Sequence, residues 1–108
     1  MQRGDIWIAA AGEIFASKPA PFIILQRDST IEVRQSIMVC RLTTQVAELE
    51  LLRPLLVPSE TNGLEKPSRA QTDKVITLKK SSLTRCIGRV NDDDLKNIEA
   101  MIQFWLGL

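Results

Sequence analysis

The side chains that could carry out chemistry in this protein are arginine, lysine, acids, serine and threonine, because the 108-residue sequence contains no histidine. Histidine is the usual general base near neutral pH and the commonest partner of a nucleophilic serine or cysteine. Catalytic triads, histidine-based nuclease mechanisms and zinc sites that use histidine are therefore excluded. Two cysteines are too few for a four-ligand structural zinc site. We expect Cys40 and Cys86 to be reduced thiols, and we expect no metal site.

The charged residues are unevenly distributed along the chain. The formal net charge is only +1, yet every basic residue except Lys96 precedes Asn91. Four acids then follow within a short segment, namely Asp92, Asp93, Asp94 and Glu99. A solvated surface with an acidic helix start would explain this pattern. A basic body would equally suit nucleic-acid binding on one face.

Apolar segments separated by turn residues predict five or six short strands. The strand candidates are "GDIWIAAA", "PFIILQ", "SIMVCRLTT", "RPLLVP", "QTDKVITL" and "RCIGRV". The segment "RDSTIEVRQ" is interpreted as a hairpin connection, and "SETNGLEKPS" as a loop. This pattern predicts a small antiparallel barrel or sandwich in one domain, residues 1–108.

The C-terminal segment predicts an amphipathic helix that packs on the β-structure. Asn91 is a good N-cap, aspartates suit the first turn, and Gly107 stands where a helix would end. Apolar residues recur at three- and four-residue spacing on one face: Leu95, Ile98, Met101, Ile102, Trp105 and Leu106. No apolar run approaches the roughly 20 residues that cross a bilayer. The start of the chain lacks a secretory signal pattern, so we expect a cytoplasmic protein.

The stretch "SKPAPFIILQ" places Ala20 between two prolines, directly ahead of the second strand candidate. Proline restricts its own backbone and that of the residue before it. We therefore expect a rigid loop at Ala20. A rigid loop usually presents a functional side chain, but here the side chain is a methyl group.

The motifs and their order resemble the MazF/PemK family of toxin endoribonucleases, in the CcdB-like superfamily. The resemblance is carried by "RGDIW", the proline-bearing loop before "PFIILQ", "VCRLTTQ", "PSETNGLEKPSRAQTDKVITL", "IGRVNDDDL" and the terminal "LGL". It implies an SH3-like antiparallel β-barrel with an appended helix, acting as a homodimer. It also implies cleavage of single-stranded RNA at short sequences without metal or cofactor, and a cognate antitoxin that occupies the RNA groove.

In this family the ribose 2′-hydroxyl attacks the adjacent phosphate, which requires positioning and charge stabilisation but no external nucleophile. The resemblance implies that an arginine before the second strand and a threonine or serine ending the third strand carry the chemistry. The threonine maps to Thr43, with Thr44 and Gln45 beside it, and Glu13 resembles an acid of the family's first loop. Residues mapped to the RNA groove are Gln71, Asp73 and Lys74. Phosphate contacts are expected from Lys18, Arg27, Arg41, Arg69, Lys74 and Arg85.

The sequence departs from the family pattern at Ala20, where the arginine is expected. Three explanations compete: an engineered alanine in a toxic protein, a natural inactive homologue, or a substitute cation from Lys18 or Arg41. We favour the first and expect an attenuated chain. Two alternative functions remain: a CcdB-like toxin that poisons a topoisomerase by protein contact, and a non-catalytic RNA-binding barrel.

Overall fold

Six strands and two α-helices make up the computed structural model, which describes residues 1–10, 18–46 and 51–108. The strands are β1 (Asp5–Ala9), β2 (Ala20–Ile24), β3 (Ser36–Thr43), β4 (Leu55–Leu56), β5 (Ser68–Lys79) and β6 (Leu83–Arg89). The helices are α1 (Asp28–Ile31) and α2 (Asp92–Leu106), and a 3-10 turn, Lys80–Ser82, joins β5 to β6.

The strands form one curled antiparallel sheet in the order β4-β5-β3-β2-β1-β6. The predicted mostly-β fold, a small barrel with a C-terminal helix, is confirmed in the form of a six-stranded half-barrel. Neighbouring side chains of a strand point to opposite faces of the sheet. One face buries Ile6, Ile23 and Leu42, and the other buries Ala9, Phe22 and Val39.

Helix α2 packs on the first of these faces. The Asn91 side chain accepts a hydrogen bond from the Asp94 backbone N–H at 2.7 Å, and Gly107 ends the helix with φ of 71°. Both predicted helix ends are therefore confirmed. Ile98 is fully buried, whereas Trp105 and Leu106 are 42% and 65% exposed. The apolar face thus extends beyond what the sheet covers. None of the helices in the described part of the chain is long and apolar enough to span a membrane.

The segment "RDSTIEVRQ" joins the antiparallel neighbours β2 and β3, so the predicted hairpin connection is confirmed. The connection contains the short helix α1, because Thr30 Oγ1 and the Thr30 backbone N–H both donate to the Arg27 carbonyl and close a helical turn. One prediction about local structure was wrong. Ala20 lies in β2 and not in a loop, because its backbone pairs with Ala9 of β1.

Both cysteines are free thiols, as expected. Cys40 lies in the core, and its burial, with a smaller contribution from the Asp73 charge, raises the pKa of Cys40 to about 12. This thiol stays protonated and unreactive at neutral pH.

Candidate functional site

Thr43 ends β3 at one end of the sheet, and the strand register shows which side chains share its face. Phe22 pairs with Arg41, and Thr43 pairs with Arg69. Directly opposite residues lie on the same face, as do residues two apart on one strand. Ala20, Phe22, Arg41, Thr43 and Arg69 therefore share one face, which we name the Thr43 face. It brings together two guanidinium groups and one hydroxyl.

The Thr43 hydroxyl is held in place by the backbone of the following turn. Its Oγ1 accepts a hydrogen bond from the Gln45 backbone N–H at 3.2 Å, and the residue is 9% exposed. Because a hydroxyl both donates and accepts, the Thr43 O–H can still be given to a phosphate oxygen. The Gln45 side chain is exposed, and its backbone N–H orients the Thr43 hydroxyl.

Ala20 lies beside Thr43 through the β2–β3 pairing. Ile24 pairs with Val39 and Phe22 with Arg41, and continuing this register places Ala20 opposite Thr43. Ala20 is 6% exposed and belongs to the same apolar cluster as Ala9 and Phe22. Pairing with Ala9 of β1 fixes the Ala20 backbone more firmly than a loop would, because this pairing adds to the restriction by proline.

Arg69 lies opposite Thr43 on the other flanking strand, β5. Its Nη1 donates to the Arg53 carbonyl at 2.8 Å. Its Nε is buried and has no hydrogen-bond partner among the described residues. A buried N–H without a partner costs about 1–3 kcal/mol. An acceptor that entered beside this atom would remove that cost.

A bulge in β5 separates Arg69 from the rest of the strand. Cys40 pairs with Val75 and Leu42 with Ala70, so residues 71–74 of β5 face the single residue Arg41 of β3. Within the bulge, both carboxylate oxygens of Asp73 accept from Arg53, at 2.8 and 2.9 Å. The Arg53 guanidinium holds the pKa of Asp73 below its usual value. Asp73 thus fixes Arg53, whose carbonyl in turn fixes Arg69.

A groove of about 660 Å³ opens on the other side of the same end of the sheet. We name it the Arg85 groove; its polar lining consists of Thr44, Glu65, Lys66, Ser68 and Arg85. Pro21 also lines it, so the pairs Ala20–Pro21 and Thr43–Thr44 each contribute one residue to the groove and one to the Thr43 face. A nucleic-acid strand that crosses this end of the sheet would meet both surfaces.

The wall of the Arg85 groove is a loop that packs directly on β6. The Arg89 backbone N–H donates to the Thr61 carbonyl at 2.8 Å. Gly63 has φ of 67°, and a Cβ there would stand 2.0 Å from the Ile87 carbonyl oxygen. Asn62 is 3% exposed, and its Oδ1 accepts from the Leu64 backbone N–H at 3.0 Å. These contacts set the width of the groove.

The structure brings together only part of the residues mapped from the sequence. Arg27 follows the far end of β2 and lies away from both surfaces, and Lys74 lies exposed on the β5 bulge. Gln71 is 7% exposed, and its Oε1 has no hydrogen-bond partner in the described part of the chain. Lys18 is exposed and precedes β2. Glu13 lies outside the described residues.

Sequence reasoning missed Lys66 and Ser68 of the groove. Both follow the Asn62–Gly63 turn, which predicts a loop but not the strand on which that loop folds. A basic side chain and a hydroxyl soon after a turn, Lys66 and Ser68, were the features of the sequence that could have indicated a phosphate-binding surface. No group of three or more cysteine, aspartate or glutamate side chains in residues 1–10, 18–46 and 51–108 is arranged to hold a metal ion.

Comparison with known proteins gives consistent matches over the whole chain. Residues 2–106 match the family model described as "PemK-like, MazF-like toxin of type II toxin-antitoxin system". The chain is 35% identical to the probable endoribonuclease MazF of Mycolicibacterium smegmatis, covering 100% of this chain and 98% of that protein. It is 22% identical to endoribonuclease EndoA of Bacillus subtilis, covering 100% of this chain and 96% of EndoA.

Solved structures share the fold. The Mycobacterium tuberculosis toxin MazF-mt6 superposes with a TM-score of 0.78 at 27% identity, over 96% of this chain and 97% of the toxin. A mycobacterial endoribonuclease in complex with its cognate antitoxin superposes with a TM-score of 0.81 at 21% identity, over 100% of this chain and 94% of that one.

Proposed function

Because the chain belongs to the family of PemK-like, MazF-like toxins of type II toxin–antitoxin systems, we propose that it is an endoribonuclease acting on single-stranded RNA. The observation that carries this proposal is the Thr43 face. A threonine hydroxyl, held by the Gln45 backbone, lies directly opposite an arginine whose Nε has no partner among the described residues. Hydroxyl and guanidinium groups are suited to bind the oxygens of one phosphate.

The proposed reaction needs no metal or cofactor. The ribose 2′-oxygen forms a bond to phosphorus, the bond from phosphorus to the 5′-oxygen breaks, and a 2′,3′-cyclic phosphate results. The 2′-hydroxyl proton passes to solvent, and the leaving 5′-oxygen takes up a proton from solvent. The protein lowers the barrier by holding the reacting atoms in line and by stabilising the charge that develops on the phosphoryl oxygens.

We further propose that this chain is attenuated, because the family arginine is absent at Ala20. RNA binding is less affected, since the Arg85 groove supplies Lys66 and Arg85 next to Thr44. Contacts to phosphate position the strand, and sequence preference comes from contacts to bases in the groove and its loops.

We propose that the chain acts as a cytoplasmic homodimer and is inhibited by a cognate antitoxin. The exposed apolar end of α2 supports a subunit contact, since Phe104, Leu106 and Leu108 are 61%, 65% and 86% exposed. The basic lining of the Arg85 groove supports an acidic antitoxin that folds onto it and blocks access of RNA.

Replacing Thr43 tests the proposed function. We expect the unmodified protein to cut single-stranded RNA slowly in the presence of EDTA, and Thr43→Ala to lower the single-turnover rate by a further factor of about 10². Thr43→Ser, which keeps the hydroxyl, should retain most of the activity. Rates are measured with a panel of labelled oligonucleotides of varied sequence, and the cyclic phosphate is identified by mass spectrometry.

Thr77→Ala is the matched control, because Thr77 is an exposed threonine at another position of the sheet, opposite Met38. It should cleave like the unmodified protein. If neither the unmodified protein nor its Ala20→Arg variant cleaved any RNA of the panel, the proposed activity would be wrong. Inhibition of DNA gyrase by the same preparation would then favour the topoisomerase alternative.

The proposed antitoxin site is tested by competition. An acidic partner that occupies the Arg85 groove should displace a 2′-deoxy oligonucleotide, which lacks the attacking hydroxyl and is not cleaved. Arg85→Gln should weaken both complexes, whereas Arg34→Gln, at an exposed arginine away from the groove, should weaken neither. Fluorescence anisotropy measures displacement, and simultaneous binding of partner and oligonucleotide would refute a shared groove.

A further inference from the structure

We infer that Arg69 contacts the scissile phosphate and supplies the guanidinium that position 20 lacks in this chain. The inference rests on the proposed function and deepens it, because it names a catalytic residue for which the resemblance gives only a general phosphate contact. The inference depends on the position of Thr43 in the sheet, where its strand has a neighbouring strand on each side.

Strand β3 lies between β2 and β5, so Thr43 has one opposite position on each. Arg69 is the partner on β5, and the continued β2 register makes Ala20 the position on the other side. Directly opposite Cβ atoms in an antiparallel pair are about 4.5–5.5 Å apart. Side chains at 20 and 69 therefore start at similar distances from Thr43 and on the same face, and an arginine at either position reaches the same phosphate.

The Nε edge of the Arg69 guanidinium is buried, and its donors suit a phosphate that enters beside it. The corresponding edge of Arg53 binds a carboxylate in this structure: its Nε and Nη2 donate to the two oxygens of Asp73 at 2.8 and 2.9 Å. Arg69 uses Nη1 for the Arg53 carbonyl, while its Nε has no partner in the described part of the chain. Two oxygens of a phosphate fit the Nε edge as those of a carboxylate do. Anchoring through Nη1 also lowers the entropy lost when the phosphate is bound.

Other cations of the region fit the role less well. Arg41 lies on the same strand as Thr43, two residues away, and faces Phe22. Lys18 is an exposed point charge without a fork of donors, and it precedes the strand that carries position 20. Arg85 lines the groove on the other side of the sheet end. Among the basic residues that the structure describes, Arg69 is the one whose position on a neighbouring strand pairs directly with Thr43.

The test is a double-mutant cycle between positions 20 and 69. We expect Arg69→Gln to lower the single-turnover rate of the unmodified protein by about 10²-fold or more, with a much smaller effect on the dissociation constant of the RNA. In the Ala20→Arg background the same change should cost less than about tenfold, because two guanidinium groups then serve one phosphate and their effects are not additive. The rate of Arg69→Lys should lie between those of the unmodified protein and Arg69→Gln, because lysine keeps the charge but lacks the planar set of donors of a guanidinium.

The outcomes separate the inference from the function on which it rests. Equal losses from Arg69→Gln in both backgrounds, or a loss no larger than that of the control Arg34→Gln, would overturn the role of Arg69 while leaving RNA cleavage established. Activity in Ala20→Arg alone, with none in the unmodified protein, would overturn it as well. Each variant is first shown by circular dichroism and urea titration to be folded.

A second measurement does not depend on turnover. A 2′-deoxy oligonucleotide should bind the Arg69→Gln protein with a smaller dependence of the dissociation constant on salt, by about one phosphate contact, or roughly 0.7 in the log–log slope. Arg34→Gln should leave the slope unchanged. An unaltered slope for Arg69→Gln would contradict the phosphate contact, even if no variant cleaved RNA.

Discussion

We expect Ala20→Arg to raise the rate of RNA cleavage by about 10- to 10²-fold, less than the roughly 10²- to 10³-fold effect of one preorganised donor acting alone, because Arg69 already serves the same phosphate. The register places position 20 opposite Thr43, so a guanidinium there adds its donors to those of Arg69 around the same phosphate. Ala20 is 6% exposed, but an arginine can lay its aliphatic stem along the sheet end and keep its charged head in water.

Single-turnover cleavage with EDTA present measures this prediction, and growth arrest on induction provides an independent readout. Ala20→Lys should gain less, because an ammonium lacks the planar fork, and Ala20→Gln should gain nothing, because it adds length without charge. Adding Thr43→Ala should remove the gain. A folded Ala20→Arg protein that cuts no faster than the unmodified chain would show that position 20 does not reach the phosphate.

The largest loss of stability should follow Gly63→Ala. A Cβ at Gly63 would stand 2.0 Å from the Ile87 carbonyl oxygen, and the backbone adopts φ of 67°, which disfavours any side chain. The loop must then lift from β6, which also disturbs the Arg85 groove. We expect a loss of about 3 kcal/mol or more in the free energy of unfolding, since both overpacking and backbone strain contribute.

Gly107→Ala is the matched control, because Gly107 has nearly the same φ, 71°, but no atom beyond its chain neighbours lies within 4 Å of its added Cβ. It should cost only about 1 kcal/mol, the price of the left-handed backbone. The difference between the two urea midpoints, converted with the measured slope, isolates the contact with Ile87. Equal losses in the two variants would mean that the loop does not press on β6 as described.

The fold could be predicted from the sequence wherever a local signal decided it. The alternation around Trp7, the apolar run after Pro21 and the caps at Asn91 and Gly107 all specify structure within a few residues. The segment after Arg27 was correctly predicted as the connection between β2 and β3, but its helical turn was not predicted, because that turn depends on the Thr30 side-chain hydrogen bond to the Arg27 carbonyl.

The site was less predictable because it depends on register. Thr43 was found through resemblance, but nothing local in the sequence says that Arg69 pairs with it, since that pairing follows from the bulge at residues 71–74. The same bulge allows Asp73 to bind Arg53. The importance of Gly63 is equally hidden, because it depends on the approach of β6, a strand formed by a distant part of the chain.

The pairing of β1 with β6 has a consequence for how the protein is made. Asp5 pairs with Arg89 and Ala9 with Leu83, so β1 finds one of its two neighbours only after β6 has been synthesised. Contacts this distant in sequence form slowly, because the connecting chain must be ordered before they contribute. The Arg85 groove needs β6 as well, so this proposed RNA-binding surface cannot form before β6 has left the ribosome. A nascent chain whose β6 has not yet emerged therefore lacks one of the surfaces proposed to bind RNA.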